Sequence, residues 1–197
     1  MIAKPPLSAE ASRHGKCARI VWLLILLCSL SIAQNQADTL EYALKASWLT
    51  KFVKYVEWPT GQNKASLVIG ILGDDPFDQL FSPVEGKQFL GRRLTIVRFG
   101  QYKEGLDLAQ CDLLFVSHSE QENTQEILSQ VANRPVLTVS DFAGFAEAGG
   151  VINFLPMKRE RIRYEVNQGQ AEMMGFRVTA PLLRYADRVI SADGRRK

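Results

Sequence analysis

The chain has 197 residues, with 24 Lys and Arg against 21 Asp and Glu and a formal net charge of +3. This length suits one domain with a single core. The whole positive excess lies in the first 33 residues, so the remainder has a formal charge near zero. That balance gives no sign of the basic stripe that nucleic-acid binding requires, and we expect no nucleic-acid partner.

The first 33 residues have the composition of an export signal. Basic residues precede an apolar block at residues 20–30, and Ser31 and Ala33 then offer the small side chains that a signal peptidase accepts. The block is shorter than the ~20 apolar residues of a membrane-spanning helix, and an uncleaved anchor is the alternative. We predict a signal peptide at residues 1–33, cleaved near Ala33, and one domain at residues 34–197.

Cysteine use excludes a disulfide within the predicted mature chain. Cys17 and Cys28 lie in the signal, which leaves only Cys111. Because Cys111 opens an apolar strand and free cysteine is usually interior, we expect it to be buried. An intermolecular disulfide is the alternative.

Apolar residues recur at helical spacing over residues 39–57 and predict a long amphipathic helix, which the Trp58-Pro59 step ends. Trp48 is expected in the core, although Trp48, Tyr55 and Trp58 are also candidates for an interface. Lys45 falls inside the apolar arc. We expect its aliphatic stem to lie on the core and its ammonium to reach water, and a buried partner or a ligand anion is the alternative.

Four apolar runs in the middle of the chain predict strands, at residues 67–72, 94–99, 112–116 and 136–139. Asp75 and Pro76 predict a short helix after the first run. Ser119 and Glu122 form a capping box, which predicts that a helix starts after the third run.

The end of the chain predicts a hairpin and a final helix. Residues 151–155 and 161–166 flank a five-residue polar loop, and Thr179 with Pro181 starts a helix that continues to Ile190. Interleaved strands and helices followed by a hairpin predict an α/β fold. We expect a single-domain three-layer sandwich, with a mostly parallel sheet, helices on both faces and an antiparallel hairpin near the C-terminus.

The residue types of a hydrolase occur near predicted strand ends, at Ser117, His118 and Asp141. Adjacent residues on an extended strand point to opposite faces, so Ser117 and His118 are badly placed to act as nucleophile and base. One histidine and one cysteine outside the signal are too few for a zinc site. We therefore predict no enzyme, no cofactor and no metal.

Positive charge gathers on the predicted hairpin at Lys158, Arg159, Arg161 and Arg163. Charges at a sheet edge commonly serve to prevent aggregation. The alternative is an anion or carboxylate site built from guanidinium groups. The candidate binding residues for a small anionic ligand are Lys45, Arg163 and Arg177.

Several short segments occur in order and at suitable spacing along the chain. They are the segments at residues 41–46, 52–59, 69–77, 111–117, 137–141, 149–154 and 162–167. With these segments the chain resembles the YfiR family over nearly the whole predicted domain.

The resemblance implies a soluble periplasmic regulator that binds the periplasmic portion of an inner-membrane diguanylate cyclase, holds it inactive and lowers cyclic di-GMP. It also implies a homodimer, and disulfides in some members. The chain departs from that pattern because Cys111 has no partner in the predicted mature chain. A periplasmic sensor of small ligands, or a solute-binding module, is the alternative function.

Overall fold

The computed structural model describes residues 38–59 and 64–191. The described residues fall into two units, which divide between residues 40 and 41. Residues 38–40, which belong to the first unit, are helical. The predicted signal peptide and its cleavage site near Ala33 lie outside the described residues. No helix in the described ranges is long and apolar enough to cross a bilayer.

The second unit alternates strands with short helices. The strands are β1 (Val56–Glu57), β2 (Ser66–Leu72), β3 (Gln88–Phe89), β4 (Arg92–Gly100), β5 (Leu113–Val116), β6 (Leu137–Ser140), β7 (Ile152–Lys158), β8 (Arg161–Asn167), β9 (Arg177–Val178) and β10 (Arg188–Ile190). The α-helices are α1 (described over residues 38–55), α2 (Thr124–Val131), α3 (Gln168–Met173) and α4 (Ala180–Tyr185). Short 3₁₀ helices occupy Asp78–Phe81, Leu108–Gln110 and His118–Asn123.

Within residues 38–59 and 64–191, eight strands form one sheet in the order β10-β8-β7-β6-β5-β2-β4-β3. The five strands from β4 to β7 in this order are mutually parallel. Strand β8 is antiparallel to β7, and β10 pairs in parallel with β8. Strands β1 and β9 form a separate antiparallel pair. The predicted fold class, a mostly parallel sheet with an antiparallel hairpin near the C-terminus, is confirmed.

The sheet is covered on both faces, as the three-layer prediction requires. Leu113 and Phe115 of β5 belong to one apolar layer, which includes Phe52 of α1. Leu114 of β5 belongs to the other layer, with Ile127 of α2. Successive side chains of a strand point to opposite faces, so a strand between two layers is apolar throughout. This is why the central strands have continuous apolar sequences.

Helix α1 ends two residues earlier than predicted. Val56 and Glu57 are extended and pair with β9, and the Thr179 hydroxyl donates a hydrogen bond to the carbonyl of Tyr55 at 2.7 Å.

The predicted capping box is wrong, because the Ser119 hydroxyl accepts from the backbone N–H of Asp74 instead, at 2.9 Å. The helix after β5 begins only at Thr124, after a 3₁₀ turn.

The predicted C-terminal helix is too long. Helix α4 ends at Tyr185, and Val189 and Ile190 lie in strand β10 at the sheet edge. The backbone N–H of Asp187 donates to the carbonyl of Tyr164 at 2.8 Å and turns the chain toward β8. Pairing with the free edge of β8 thus competes successfully with continuation of the helix.

The hairpin turn is tighter than predicted. Strands β7 and β8 extend to Lys158 and from Arg161, so only Arg159 and Glu160 form the turn. Both residues have positive φ, +52° and +56°. Two-residue hairpin turns match the twist of the strands in this way, and they favour asparagine and glycine at these positions.

Cys111 is fully buried, as predicted, in the apolar layer that contains α2. Any side chain at Gly70 would collide with its Sγ atom. Burial, with a smaller contribution from Asp112, raises the pKa of the Cys111 thiol from 9.0 to about 12.

We expect Cys111 of the folded protein to resist thiol reagents. At pH 8 the raised pKa lowers the thiolate fraction about 1000-fold relative to an ordinary thiol, and the thiolate is the reactive form. Site-resolved mass spectrometry after labelling with and without urea measures this protection. Equally fast labelling of Cys111 in both states would contradict its burial.

Candidate partner-binding surface

Lys45 forms a buried ion pair that joins α1 to the sheet. Its Nζ lies 2.8 Å from Oδ2 of Asp141 and 2.7 Å from Oε1 of Glu41. The hydroxyl of Tyr42 donates to the same Asp141 oxygen at 3.1 Å. The side chains of Lys45 and Asp141 are only 5% and 6% exposed. The expectation that the ammonium reaches water is therefore wrong, and the alternative of a buried partner is correct.

The position of Asp141 explains this pairing. Asp141 follows β6 directly, so its carboxylate lies at the carboxyl edge of the parallel strands. The ring of Tyr42 lies 4.4 Å from Nζ of Lys45 and adds a cation–π contact. A ligand anion at Lys45 would have to displace a carboxylate that is already bound.

Four aromatic rings connect the core to the surface beside this pair. Phe52 contacts Trp48, Phe154 and Tyr164, with ring centroids 5.2–5.7 Å apart. Trp48 also lies 5.1 Å from Tyr164. The Tyr164 hydroxyl donates to the carbonyl of Leu182 at 2.8 Å, and burial raises the pKa of this hydroxyl above its usual range. Tyr164 therefore fixes α4 against β8.

Above these rings lies a surface groove between α1, α4 and the hairpin. It consists of two adjoining cavities of about 210 and 260 Å³, which share Trp48, Tyr164 and Tyr185. Its other lining residues are Leu44, Lys51, Tyr55, Glu160, Arg161, Ile162, Pro181 and Leu182. We call it the aromatic groove. Tyr185 is 58% exposed at its wall, so a large aromatic side chain is held toward solvent.

Trp48 belongs both to the core and to the aromatic groove. One part of the side chain packs on Phe52, and the remainder is open to the groove, where Nζ of Lys51 lies 4.7 Å from the ring centroid. Trp58 is placed elsewhere, edge-on to Phe176 at 5.1 Å, and donates to the carbonyl of Val53. Tyr185 carried no sequence signal, because the predicted helix continued past it to Ile190.

The hairpin charges line a second cavity of about 380 Å³, which we call the basic pocket. Its lining residues are Lys158, Arg159, Arg161, Arg163 and Asp187. Arg163 is paired with Asp187 at 2.8 Å. Among the described residues, the other three cations have no acidic partner within 4.0 Å.

The three candidate binding residues bind different partners. Arg177 is 82% exposed and lies 3.6 Å from Glu57 on the small β1–β9 sheet. Arg163 lines the basic pocket, and Lys45 is buried against Asp141. No described contact joins them. A role of each in binding an anion stays a prediction.

The three side chains considered for hydrolysis, Ser117, His118 and Asp141, have different surroundings. Asp141 pairs with Lys45, Ser117 is buried, and the exposed His118 lies edge-on to Phe142 at 6.1 Å. Within residues 38–59 and 64–191, no group of three His, Cys, Asp or Glu side chains is placed to hold a metal ion.

A family model described as YfiR/HmsC-like matches residues 42–187. The matched segment starts in α1 and ends at Asp187, so it includes the aromatic groove and the basic pocket. No curated protein matches the chain.

Proposed function

Because the chain belongs to the YfiR/HmsC-like family, we propose that it binds the periplasmic portion of an inner-membrane diguanylate cyclase, restrains it and lowers cyclic di-GMP. At family level these proteins are periplasmic regulators of diguanylate cyclases. Restraint requires only that the regulator bind the inactive state of the cyclase more tightly than the active state. This function requires a surface that binds the cyclase, and it does not require the regulator to catalyse a reaction.

The aromatic groove is the observation that supports binding. Tyrosine, tryptophan and arginine are enriched among the residues that carry interface energy, and here Trp48, Tyr185 and Arg161 line one groove. Tyr185 is 58% exposed, so a partner that covers it would remove its apolar ring surface from water. We therefore place the cyclase contact at this groove.

Tyr185→Ala is expected to weaken binding of the detergent-solubilised cyclase at least about tenfold, because a buried interface tyrosine commonly contributes more than 1.4 kcal/mol. The cyclase is identified by co-purification with the tagged protein. Met173→Ala is the matched control, since Met173 is 77% exposed and lines a different cavity. Equal affinity of Tyr185→Ala and the wild type would remove the groove from the interface.

A second copy of the chain is the competing occupant of the groove. Sedimentation of the wild type and of Tyr185→Ala over a range of concentrations separates the two cases. A dimer that dissociates in Tyr185→Ala would assign the groove to self-association and argue against its use for the cyclase.

The basic pocket favours a second candidate function, the sensing of a small anion. A pocket lined by several cations concentrates anions. Calorimetric titration with inorganic phosphate and with succinate tests this function. If the pocket senses an anion, one of these two anions should bind the wild type, and its binding should be lost when Lys158 and Arg161 are replaced by glutamate.

A further inference from the structure

The cations of the basic pocket project from the opposite face of the hairpin to the apolar residues of the aromatic groove. Ile162 and Tyr164 of β8 belong to the apolar layer that contains α1. Arg161 and Arg163 alternate with them along the strand, so their side chains leave the other face of the sheet. Lys158 pairs with Arg161 across the hairpin and shares that face. A ligand of the pocket would therefore meet cationic side chains.

Three of these cations have no counter-charge in the described part of the chain. Arg163 and Asp187 are paired with each other at 2.8 Å. The other lining residues are Lys158, Arg159 and Arg161. None of the three has a carboxylate within 4.0 Å among the described residues. Cations held together repel each other, and the same field attracts an anion.

The cations occupy positions that local structure disfavours. Lys158 and Arg161 lie directly opposite each other, and like charges in such a cross-strand pair are destabilising. Arg159 and Glu160 form the turn with φ of +52° and +56°, where asparagine and glycine are preferred. Natural sequences depart from local preferences mainly at functional sites. Each of these two departures adds a cation to the pocket, so the charge is the feature that they share.

From these observations we infer that the basic pocket binds a small anion with three or more negative charges. The inference rests on the second candidate function and deepens it by naming the class of anion. The cavity of about 380 Å³ has the size of a small-molecule site. Guanidinium groups bind a carboxylate or phosphoryl group through two parallel hydrogen bonds. Protection of a sheet edge requires exposed charge, but it does not require the charges to line one cavity.

Calorimetric titration of the purified protein with acetate, succinate and citrate tests this inference. Near pH 8 these carboxylates carry about one, two and three negative charges, because carboxyl groups are ionised there. We expect citrate to bind at least about tenfold more tightly than succinate, and acetate to bind most weakly. Raising NaCl from about 50 to about 500 mM should weaken citrate binding. Citrate that binds no more tightly than succinate would overturn the inference.

Two variants test the residues of the pocket. Arg159→Asn removes one cation and gives the turn a residue that it prefers. This variant should resist urea at least as well as the wild type and yet bind citrate at least about fivefold more weakly. Lys158→Glu with Arg161→Glu should abolish citrate binding. Wild-type affinity for citrate in either variant would contradict the assignment to this pocket.

The matched control reverses the same number of charges at the opposite edge of the sheet. Lys87→Glu with Arg93→Glu changes two exposed residues next to β3 and should leave citrate binding unchanged. Sedimentation with phosphatidylglycerol vesicles separates a free anion from a lipid headgroup. Binding to the vesicles without binding of citrate would also overturn the inference.

Failure of this inference and failure of the proposed functions give different results. If succinate binds at Lys158 and Arg161 but citrate binds no more tightly, the inference is wrong and sensing of a small anion stands. If citrate binds as expected but no cyclase is recovered, the anion site stands and restraint of a cyclase is wrong. Tyr185→Ala should bind citrate like the wild type, because Tyr185 lines the groove and not the pocket.

Discussion

Replacing Lys45 with methionine is expected to lower the free energy of unfolding by about 3–5 kcal/mol, the usual result of removing one partner from a buried pair. The carboxylate of Asp141 would remain only 6% exposed and would lose its cation, keeping only the Tyr42 hydroxyl as a described side-chain donor. Urea unfolding of the variant and the wild type measures the difference.

Two controls separate the ion pair from simple loss of packing. Lys45→Met combined with Asp141→Leu should recover most of the lost stability, because an apolar pair of similar volume commonly replaces a buried ion pair without loss. Glu41→Gln should cost less than about 1 kcal/mol, since Glu41 is 25% exposed and pairs with Lys45 within one helix turn. A change below 1 kcal/mol for Lys45→Met would show that the pair is not buried as described.

Phe52→Ala is expected to have an effect of similar size, about 3–5 kcal/mol, as is usual for truncation of a buried phenylalanine. Phe52 is fully buried and contacts the rings of Trp48, Phe154 and Tyr164. Its removal leaves a cavity beneath the aromatic groove. Thermal and urea unfolding measure the stability.

Phe52→Leu is the control, because it keeps most of the apolar volume and should cost less than half as much. Cyclase binding by Phe52→Leu should also stay closer to the wild type, because Trp48 and Tyr164 retain support. If Phe52→Ala cost no more than the surface change Tyr185→Ala, the described packing under the groove would be incorrect.

The central sheet was predictable because each central strand lies between two apolar layers. Strand β5 has all four residues buried and therefore carries an uninterrupted apolar sequence. Helix α1 was predictable from its period for the same reason, since Leu49, Phe52 and Val53 all face one layer. An apolar run or a helical period involves only residues that are close in the sequence, so both can be recognised without knowing the fold.

Features that depend on distant residues were not predictable in the same way. Lys45 and Asp141 are 96 residues apart, so the sequence shows a cation in an apolar arc but not its partner. Strand β10 has three residues and, among the described strands, pairs with β8 alone, so its apolar residues also fit the end of a helix. The tertiary contacts decided between these alternatives.

The aromatic groove illustrates the same limit for the candidate site. Its walls come from α1, the β7–β8 hairpin and α4. Tyr185 becomes a candidate interface residue because the fold brings it beside Trp48. The hairpin charges were visible in the sequence, but their convergence in one pocket required the tight turn at Arg159 and Glu160. The sequence shows which charged and aromatic residues are present, but only the fold shows that they lie close together.

The most direct test of regulation is the cyclic di-GMP level of cells that lack this gene. We expect the level to rise on deletion, to return when the wild type or Met173→Ala is supplied, and to stay high with Tyr185→Ala present in equal amount. A level that does not change on deletion would contradict restraint of a diguanylate cyclase by this protein.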